Sequence, residues 1–295
     1  MSRLVASIKP LLLPVWNGAH RLAWSIGEIA GALAHGRVER CVVCGRVGLM
    51  LRRPRAIPDR LADLWGLGPR LRAALVRKET DICSRCGAQA RVRRLVRAML
   101  EIGVGGMSAT SAAGWVRMPE TIPLRIAEIN RIEGLHDQLA ILPGLHASDF
   151  IPGAEPGSTV DGVRHEDLTR LTYADASFDL VLTSETLEHV PDLDRALSEI
   201  RRVLVPGGVH LFTIPLLPTQ LRTFARARLD DAGRGIELAP PLAHPGGDWG
   251  YPVFTEFGLD AVERLRAAGF ETEMRYGPVT EDDLLQVFVT RRPMN

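Results

Sequence analysis

The chain has 295 residues, of which 46% are hydrophobic and 24% are charged, so it is long enough for one large domain or two modest ones with a sizeable core. This composition excludes a disordered, collagen-like or coiled-coil protein. The net charge is only +1, but residues 1–119 carry 20 basic and 7 acidic side chains, whereas residues 120–295 carry 16 and 28. We therefore predict two regions of different composition rather than one uniform domain.

The first 36 residues are apolar but contain the charges of Lys9, Arg21 and Glu28. No run reaches the roughly 18 uncharged apolar residues that a membrane-spanning helix needs, and two prolines break the pattern of a signal peptide. We expect a cytoplasmic protein without a membrane span. Residues 1–36 are predicted to form a helical segment that packs on its own protein or docks a protein partner or membrane face.

The four cysteines Cys41, Cys44, Cys83 and Cys86 form two Cys-x-x-Cys pairs, each followed by a glycine. A two-residue spacer lets both thiolates of a pair point at one ion, and the glycine permits the left-handed backbone that such a turn requires. Four sulfur ligands favour Zn²⁺ and leave no open position, so the metal is predicted to be structural. The alternatives are an iron–sulfur cluster, a redox pair or four unrelated core cysteines. The 38 residues between the pairs must be accommodated as an insertion.

The rest of this predicted zinc-binding module, residues 37–102, is helical in pattern. Residues 59–78 show an apolar stripe that glycines and a proline interrupt, and residues 88–102 show a clear amphipathic pattern with arginines at the other positions. Residues 103–119 are rich in Gly, Ser and Ala and are predicted to be a linker. The arginines would also suit nucleic-acid phosphates, although few aromatic residues accompany them.

Residues 120–295 alternate between short apolar runs and amphipathic stretches, which predicts an α/β fold with a mostly parallel sheet covered by helices on both faces. The predicted strands are residues 124–129, 145–147, 178–183, 209–214, 270–276 and 285–290. The predicted helices are residues 134–142, 193–204 and 256–268.

Three segments of this region carry a resemblance. Residues 167–181 read D-L-x-x-L-x-x-x-x-x-S-F-D-x-V, residues 188–192 read E-H-V-x-D, and residues 202–208 read R-V-L-x-P-G-G. Together they resemble class I S-adenosylmethionine-dependent methyltransferases of the small-molecule type. The resemblance implies a Rossmann-like sheet of seven strands with an antiparallel last strand, here over residues 120–295, with a lid-like insertion at residues 216–254. The cysteine pairs resemble a zinc-ribbon-like module found ahead of some such enzymes.

The resemblance also implies a cofactor site at the carboxyl ends of the strands. Asp149 would receive the ribose hydroxyls of S-adenosylmethionine, Asp167 with Leu168 would border the adenine, and Ser184 and Glu185 would line the methionine part. For Asp149, Asp167 and Glu185 the alternatives are a loop residue, a helix cap and a solvated turn residue.

The loop after the first strand departs from the family pattern. The family has an acidic residue followed by Gly-x-Gly, whereas this chain has Glu128, Asn130 and, as its single glycine, Gly134. We predict that the loop is rebuilt around these residues and still binds the cofactor. The alternative is that cofactor binding has been lost.

Two histidines are candidates for catalysis. A hydroxyl nucleophile benefits from a base of suitable pKa, and histidine is the natural choice. His189, in the E-H-V-x-D segment, and His244, in the lid-like insertion, are the candidates; each would otherwise shape the pocket or pack in a loop.

We therefore predict a methyltransferase that acts on a hydroxyl of a small molecule or sugar. The alternatives are a non-catalytic scaffold with a degenerate methyltransferase fold, and a nucleic-acid methyltransferase that uses the basic module. The Asn/Asp-Pro-Pro-Tyr/Phe motif of amino-group methylation is absent, since residues 183–186 read T-S-E-T.

Overall fold

The protein is described by a computed structural model. The described residues are 36–52, 59–105, 109–230, 233–244, 250–276 and 284–294. The predicted N-terminal helical segment therefore lies outside them, apart from residue 36. Among the described residues, no helix combines the length and the apolar character needed to cross a bilayer.

The cysteine region forms a small antiparallel sheet of three strands, β1 (Arg37–Arg40), β2 (Val47–Leu51) and β3 (Ile82–Cys83). The first cysteine pair lies in the turn between β1 and β2, and the second begins in β3. The insertion between the pairs is helical, with α1 (Asp59–Leu64) and α2 (Pro69–Thr80). The predicted stripe of residues 59–78 is split because Gly66 has φ +61° and Pro69 opens the second helix.

Helix α3 (Ala90–Glu101) confirms the predicted amphipathic helix. Its apolar side packs on the large sheet, with Leu95, Val96 and Met99 fully buried. In the segment predicted as a linker, α4 (Ala112–Trp115) follows, and the Trp115 indole is fully buried and donates to the Val104 carbonyl at 2.7 Å. The cysteine region and the sheet thus share one continuous core.

The large sheet has six strands among the described residues. They are β4 (Ile126–Ile129), β5 (Leu145–Ser148), β8 (Phe178–Ser184), β9 (Leu204–Thr213), β16 (Glu271–Arg275) and β17 (Val287–Arg291).

Their order is β16-β17-β9-β8-β4-β5, and only the last strand in sequence, β17, runs against the others. The antiparallel last strand is as predicted, and the described residues form six of the seven strands that the resemblance implies. The place of the seventh is taken by a single parallel bridge between Asp149 and His165, next to the short hairpin β6 (Thr159–Val160) and β7 (Val163–Arg164).

Helices cover both faces of the sheet, as the alternating pattern predicts. On one face α3, α4 and α5 (His136–Leu139) pack against Val209 and Leu211, whereas on the other α6 (Leu193–Val203) and α7 (Ala261–Ala267) pack against Phe212. Successive side chains of β9 therefore pack into the cores on opposite faces of the sheet. This is the period of two expected of a strand buried on both sides.

Several predicted boundaries are wrong. Helix α5 is shorter than residues 134–142, because the chain is still in the loop after β4 at Gly134. Helix α7 begins five residues later than predicted, because Glu256 pairs in a strand and Gly258 lies against the Arg222 backbone. Strand β9 begins earlier than predicted: its P-G-G run forms a bulge, since Leu204 pairs with Phe178 and Val209 with Leu180.

The predicted lid-like insertion is built from short antiparallel strand pairs. These are β10 (Phe224–Ala225) with β15 (Thr255–Glu256), β11 (Ala227–Leu229) with β12 (Gly235–Glu237), and β13 (Ala243–His244) with β14 (Tyr251–Pro252).

Candidate active site

The candidate site lies at the carboxyl ends of β5, β4 and β8, where the sheet order reverses. Strand β4 pairs with β5 on one side and with β8 on the other, all in parallel. Ligands of open parallel sheets bind beyond such strand ends. The loop after β4, Asp149 after β5, and residues 185–189 after β8 therefore share one rim.

The loop after β4 is held by a buried acid. The Glu128 carboxylate accepts the Ile132 amide at 3.0 Å and contacts His136 Nδ1 at 2.6 Å, and burial raises the pKa of Glu128. Asn130 has φ +59°, a left-handed backbone conformation that asparagine tolerates better than most residues. Its Oδ1 accepts the Phe150 amide at 3.0 Å.

Gly134 in the same loop is required by packing against the cysteine region. A Cβ atom at this position would lie 2.7 Å from both the Cys86 carbonyl oxygen and the Ala88 amide nitrogen. The backbone of the second cysteine pair thus packs directly against the loop after β4, which we call the rim loop.

The two acids after β5 have local partners. The Asp149 carboxylate accepts the Arg131 amide at 2.9 Å and pairs with the Arg131 guanidinium at 2.6 Å. Asp167 Oδ1 accepts the amide and hydroxyl of Thr169, each at 2.8 Å, and Leu168 is buried in the core. The Asp149 side chain is 28% accessible and the Arg131 side chain 41%, so the pair lies partly exposed to solvent.

The end of β8 meets the helical insertion of the cysteine region. Ser184 Oγ and Thr213 Oγ1 lie 2.9 Å apart, and Glu185 follows with φ +50°. Lys78 of α2 donates to Glu185 Oε2 at 2.7 Å, and only 4% of the Lys78 side chain is exposed. Burial alone lowers the pKa of Lys78 and raises that of Glu185, but the opposite charges outweigh burial, so the pKa of Lys78 is raised and that of Glu185 is lowered. Both side chains are charged at neutral pH.

Glu188, His189 and His244 form a second polar cluster beside this ion pair. Glu188 and His189 lie in the 3₁₀ turn Leu187–His189, and His244 comes from β13 of the insertion. Glu188 Oε1 is 3.4 Å from His189 Nε2 and 3.8 Å from His244 Nδ1. Burial, and then the charge of Glu185, raises the pKa of Glu188 well above its usual range, while burial lowers the pKa of His189 and brings that of His244 to about 3. The structure therefore brings the two predicted histidines together, with their rings 5.1 Å apart.

A cavity of about 320 Å³ lies next to the cluster, between α1 and the insertion. It is lined by Leu64, Trp65, Leu217, Thr219, Gln220, Phe224, Arg226 and Glu256. The Trp65 ring contacts His244 edge-on at 5.7 Å, and its indole nitrogen donates to Glu256 at 3.1 Å. Residues from the cysteine region and from the lid-like insertion thus share the walls of this cavity.

The four cysteines converge as the spacing predicts. Their sulfur atoms all lie within 4.8 Å of one another, and the glycines that follow each pair, Gly45 and Gly87, have φ +71° and +75°. Each glycine amide donates to the carbonyl of the first cysteine of its pair, at 2.8 and 2.9 Å. The arrangement suits one tetrahedral ion.

The arginines of α3 are largely engaged within the protein. Arg93 is buried and pairs with Asp81 at 2.7 Å, Arg94 donates to the Tyr276 carbonyl at 2.5 Å, and Arg91 pairs with Glu79. These positions were predicted as the polar side of an amphipathic helix, but α3 has protein on nearly all sides.

Residues 149–212 match the family described as "Methyltransferase domain". This stretch runs from the acid after β5 to the middle of the sheet. The match supports a class I S-adenosylmethionine-dependent methyltransferase domain. The loop after β4 lies outside the matched segment of the methyltransferase domain, as does the whole cysteine region.

Two curated relatives illustrate the similarity. A "Probable S-adenosylmethionine-dependent methyltransferase" from Mycolicibacterium smegmatis is 43% identical over 115 residues, covering 39% of this chain and 37% of the relative. Methyltransferase GfsG from Streptomyces halstedii is 48% identical over 105 residues, covering 33% of this chain and 34% of the relative. The chain thus spans little more than a third of the length of these relatives.

Solved structures are similar at lower identity. An S-adenosylmethionine-dependent methyltransferase from Mesorhizobium loti is 22% identical with a TM-score of 0.39, covering 61% of this chain and 97% of that one. S-adenosylmethionine-bound CalS10, an amino pentose methyltransferase from Micromonospora echinaspora, is 17% identical with a TM-score of 0.38, covering 61% and 88%.

Three residues that the structure places at the site were not among those predicted from the sequence. Trp65 and Lys78 come from the insertion between the cysteine pairs, and Glu188 joins the two histidines. A signal existed for Lys78, which is one of only two lysines in an arginine-rich chain. No sequence pattern pointed to Trp65.

Proposed function

We propose that the protein is an S-adenosylmethionine-dependent methyltransferase that methylates a hydroxyl of a small molecule or sugar. The observation that carries the proposal is the shared rim, in which the loop after β4, Asp149 and the end of β8 follow three adjacent parallel strands. The methyltransferase domain match over residues 149–212 supports it.

The rim residues fit the cofactor. Asn130 supplies the left-handed turn, and Asp149 offers a carboxylate that would accept the ribose hydroxyls once Arg131 moves aside. Glu128 would hold the loop, while Asp167 and Leu168 would border the adenine. Ser184 and Glu185 would line the methionine part, where Glu185 Oε1 is buried without a hydrogen-bond partner among the described residues. When bound, the cofactor supplies an electrophilic methyl group on a sulfonium.

The acceptor would lie between the histidines and the cavity behind Trp65. His189 Nδ1 contacts the Pro252 carbonyl at 2.7 Å. A carbonyl only accepts, so Nδ1 carries the hydrogen and Nε2 keeps its lone pair. His189 Nε2 can therefore take up the acceptor's proton, with His244 as the second candidate. Alignment of the acceptor oxygen would supply much of the acceleration.

We also propose that Cys41, Cys44, Cys83 and Cys86 hold a structural Zn²⁺. Four thiolates close the tetrahedron, so the ion would take no part in the chemistry. It would fix the backbone of the second pair, on which Gly134 rests.

Calorimetric titration with S-adenosylhomocysteine tests the proposal. We expect the wild-type protein to bind one equivalent, and Asp149→Asn to weaken binding by about 10- to 100-fold, because charge-assisted hydrogen bonds contribute about 1.5–3 kcal/mol. Asp179→Asn is the control: Asp179 pairs with Arg125 at the opposite end of β8, so its loss should leave the affinity unchanged.

The absence of heat at millimolar ligand would contradict the proposal and favour the non-catalytic scaffold. Equal losses in Asp149→Asn and Asp179→Asn would show that the substitutions act through the fold. Binding to RNA or DNA at low salt, weakening steeply as salt is added, would instead favour the nucleic-acid methyltransferase.

A further inference from the structure

The cluster of Glu188, His189 and His244 has the composition of a metal site. One carboxylate oxygen and two imidazole nitrogens lie within 4.8 Å of one another. Two of these residues are adjacent in a 3₁₀ turn, and the third is delivered by β13 from the other side of the site. A ligand set of two histidines and one carboxylate is the one that divalent transition metals use in sites that keep open positions.

The Glu188 carboxylate is the independent observation. It is 0% exposed, and neither of its oxygens has a hydrogen-bond partner among the described residues. A buried polar group without a partner is costly, and native proteins almost always satisfy such groups. Glu188 Oε1 lies 3.4 Å from His189 Nε2 and 3.8 Å from His244 Nδ1. A cation between the three would satisfy the carboxylate.

The surroundings already orient one of the ligands. His189 Nδ1 donates to the Pro252 carbonyl at 2.7 Å, which leaves the lone pair of Nε2 on the side of Glu188. A backbone carbonyl on the second nitrogen is the usual way in which a metal-binding histidine is held. The Lys78 charge nearby is neutralised by Glu185, at 2.7 Å.

We propose that Glu188, His189 and His244 bind one divalent transition-metal ion, distinct from the four-cysteine centre. Glu188 Oε1 lies 3.4 and 3.8 Å from the two imidazole nitrogens, close to the roughly 3.4 Å that separates neighbouring ligand atoms of a tetrahedral ion at metal–ligand distances of about 2.0–2.2 Å. Three protein ligands leave at least one coordination position open, which the acceptor oxygen would take. This inference deepens the proposed function, because the ion would hold the acceptor oxygen and lower the pKa of its hydroxyl, whose proton would pass to solvent water instead of to His189 Nε2. The oxygen would then take the methyl group, and the sulfonium would leave as neutral S-adenosylhomocysteine.

Cobalt substitution tests the proposal and separates the two centres. The full-length protein is stripped with a chelator and titrated with Co²⁺ alone, with absorption spectra and metal content measured. Thiolate ligands give an intense charge-transfer band in the near ultraviolet, whereas a site of one carboxylate and two imidazoles gives only weak visible bands. We expect the wild type to bind two equivalents and to show both kinds of band.

The variants assign each band. Glu188→Gln and His244→Phe should each bind one equivalent and keep the charge-transfer band, while Cys83→Ser should lose that band and keep the weak one. His210→Phe removes a buried histidine outside the cluster and should still bind two equivalents. If Glu188→Gln does not fold, as judged by circular dichroism, His244→Phe on the insertion carries the test.

A wild type that binds one equivalent, with weak bands unchanged in Glu188→Gln and His244→Phe, would overturn the inference. Titration with S-adenosylhomocysteine on the same preparations keeps the two proposals apart. Two metal equivalents without nucleoside binding would support the metal site and contradict the methyltransferase proposal. Nucleoside binding with only one metal equivalent would support the methyltransferase proposal and contradict the metal site.

Discussion

The molecule buries the ion pair of Lys78 with Glu185 at the rim of the sheet and the single histidine His210 in its interior, and the two sites differ in charge. In this rim pair, Lys78 is buried and Glu185 is largely buried, and both stay charged because they lie 2.7 Å apart. In the interior, His210 is 0% exposed with no charged partner among the described residues, and burial lowers its pKa to about 3, so it is neutral. A buried charge persists only where another part of the chain brings the opposite charge.

Breaking the rim pair should have the largest effect. Lys78→Met leaves the Glu185 carboxylate buried without its cation, and we expect a loss of about 3–5 kcal/mol in the free energy of unfolding. Urea unfolding followed by circular dichroism measures the loss. The double variant Lys78→Met with Glu185→Gln should recover most of it, because no uncompensated charge is left.

Arg97→Met is the control for this pair, since Arg97 is an exposed residue of α3, and its stability should change by less than about 0.5 kcal/mol. A Lys78→Met protein as stable as the wild type would mean that the rim pair does not contribute to the free energy of unfolding.

The second contact between the cysteine region and the rim depends on shape rather than charge. Gly134→Ala places a Cβ atom 2.7 Å from the Cys86 carbonyl oxygen and the Ala88 amide nitrogen, in a backbone with φ +79°. We expect a loss of about 3 kcal/mol, combining overpacking with the left-handed backbone. Chemical denaturation measures it.

Gly162→Ala separates these two causes. Gly162 has the same φ of +79° but nothing within 4 Å of an added Cβ, so only the backbone cost of about 1 kcal/mol should remain. Equal losses in the two variants would show that the second cysteine pair does not press on the rim loop.

The interior histidine His210 should have the smallest effect on the free energy of unfolding, and only at acidic pH. The unfolded chain protonates His210 near pH 6.5, whereas the folded protein does so near 3, so its contribution is complete above pH 6.5 and declines as the pH falls toward 3. At pH 5 the loss is about 2 kcal/mol. In His210→Phe this part of the pH dependence should vanish, although the Thr183 hydroxyl, 3.0 Å from His210 Nε2, loses its partner.

Chemical denaturation at pH 8, 6.5 and 5 measures how the free energy of unfolding changes with pH in the wild type and in each variant. His146→Asn, at an exposed histidine of β5, is expected to keep the wild-type slope. A His210→Phe protein with the wild-type slope would mean that the interior histidine is not the source of the acid sensitivity.

The sequence predicted well those features that depend on residues only a few positions apart. Two residues separate the cysteines of each pair, so their turn geometry follows from local bonding, and Gly45 and Gly87 take the left-handed conformation predicted for them. The antiparallel last strand came with the family resemblance of residues 167–208. The length of α5 was wrong because periodicity does not show how many residues the preceding loop uses.

The features that the sequence did not predict join residues far apart in the chain. Lys78 meets Glu185 across 107 positions, and Trp65 meets Glu256 across 191. The sequence indicated only that the fold must accommodate the 38-residue insertion between the cysteine pairs. This insertion carries both Lys78 and Trp65.

The sequence by itself determined the cysteine turns and helix α3, since each depends on neighbours a few residues apart, and its alternation of apolar runs with amphipathic stretches indicated a mostly parallel sheet. Only the tertiary structure decided that Gly134 serves the cysteine region, that Lys78 reaches the end of β8 and that His244 joins Glu188 and His189. These contacts depend on how layers of the fold stack, and burial and charge pairing between layers leave no periodic trace in the chain.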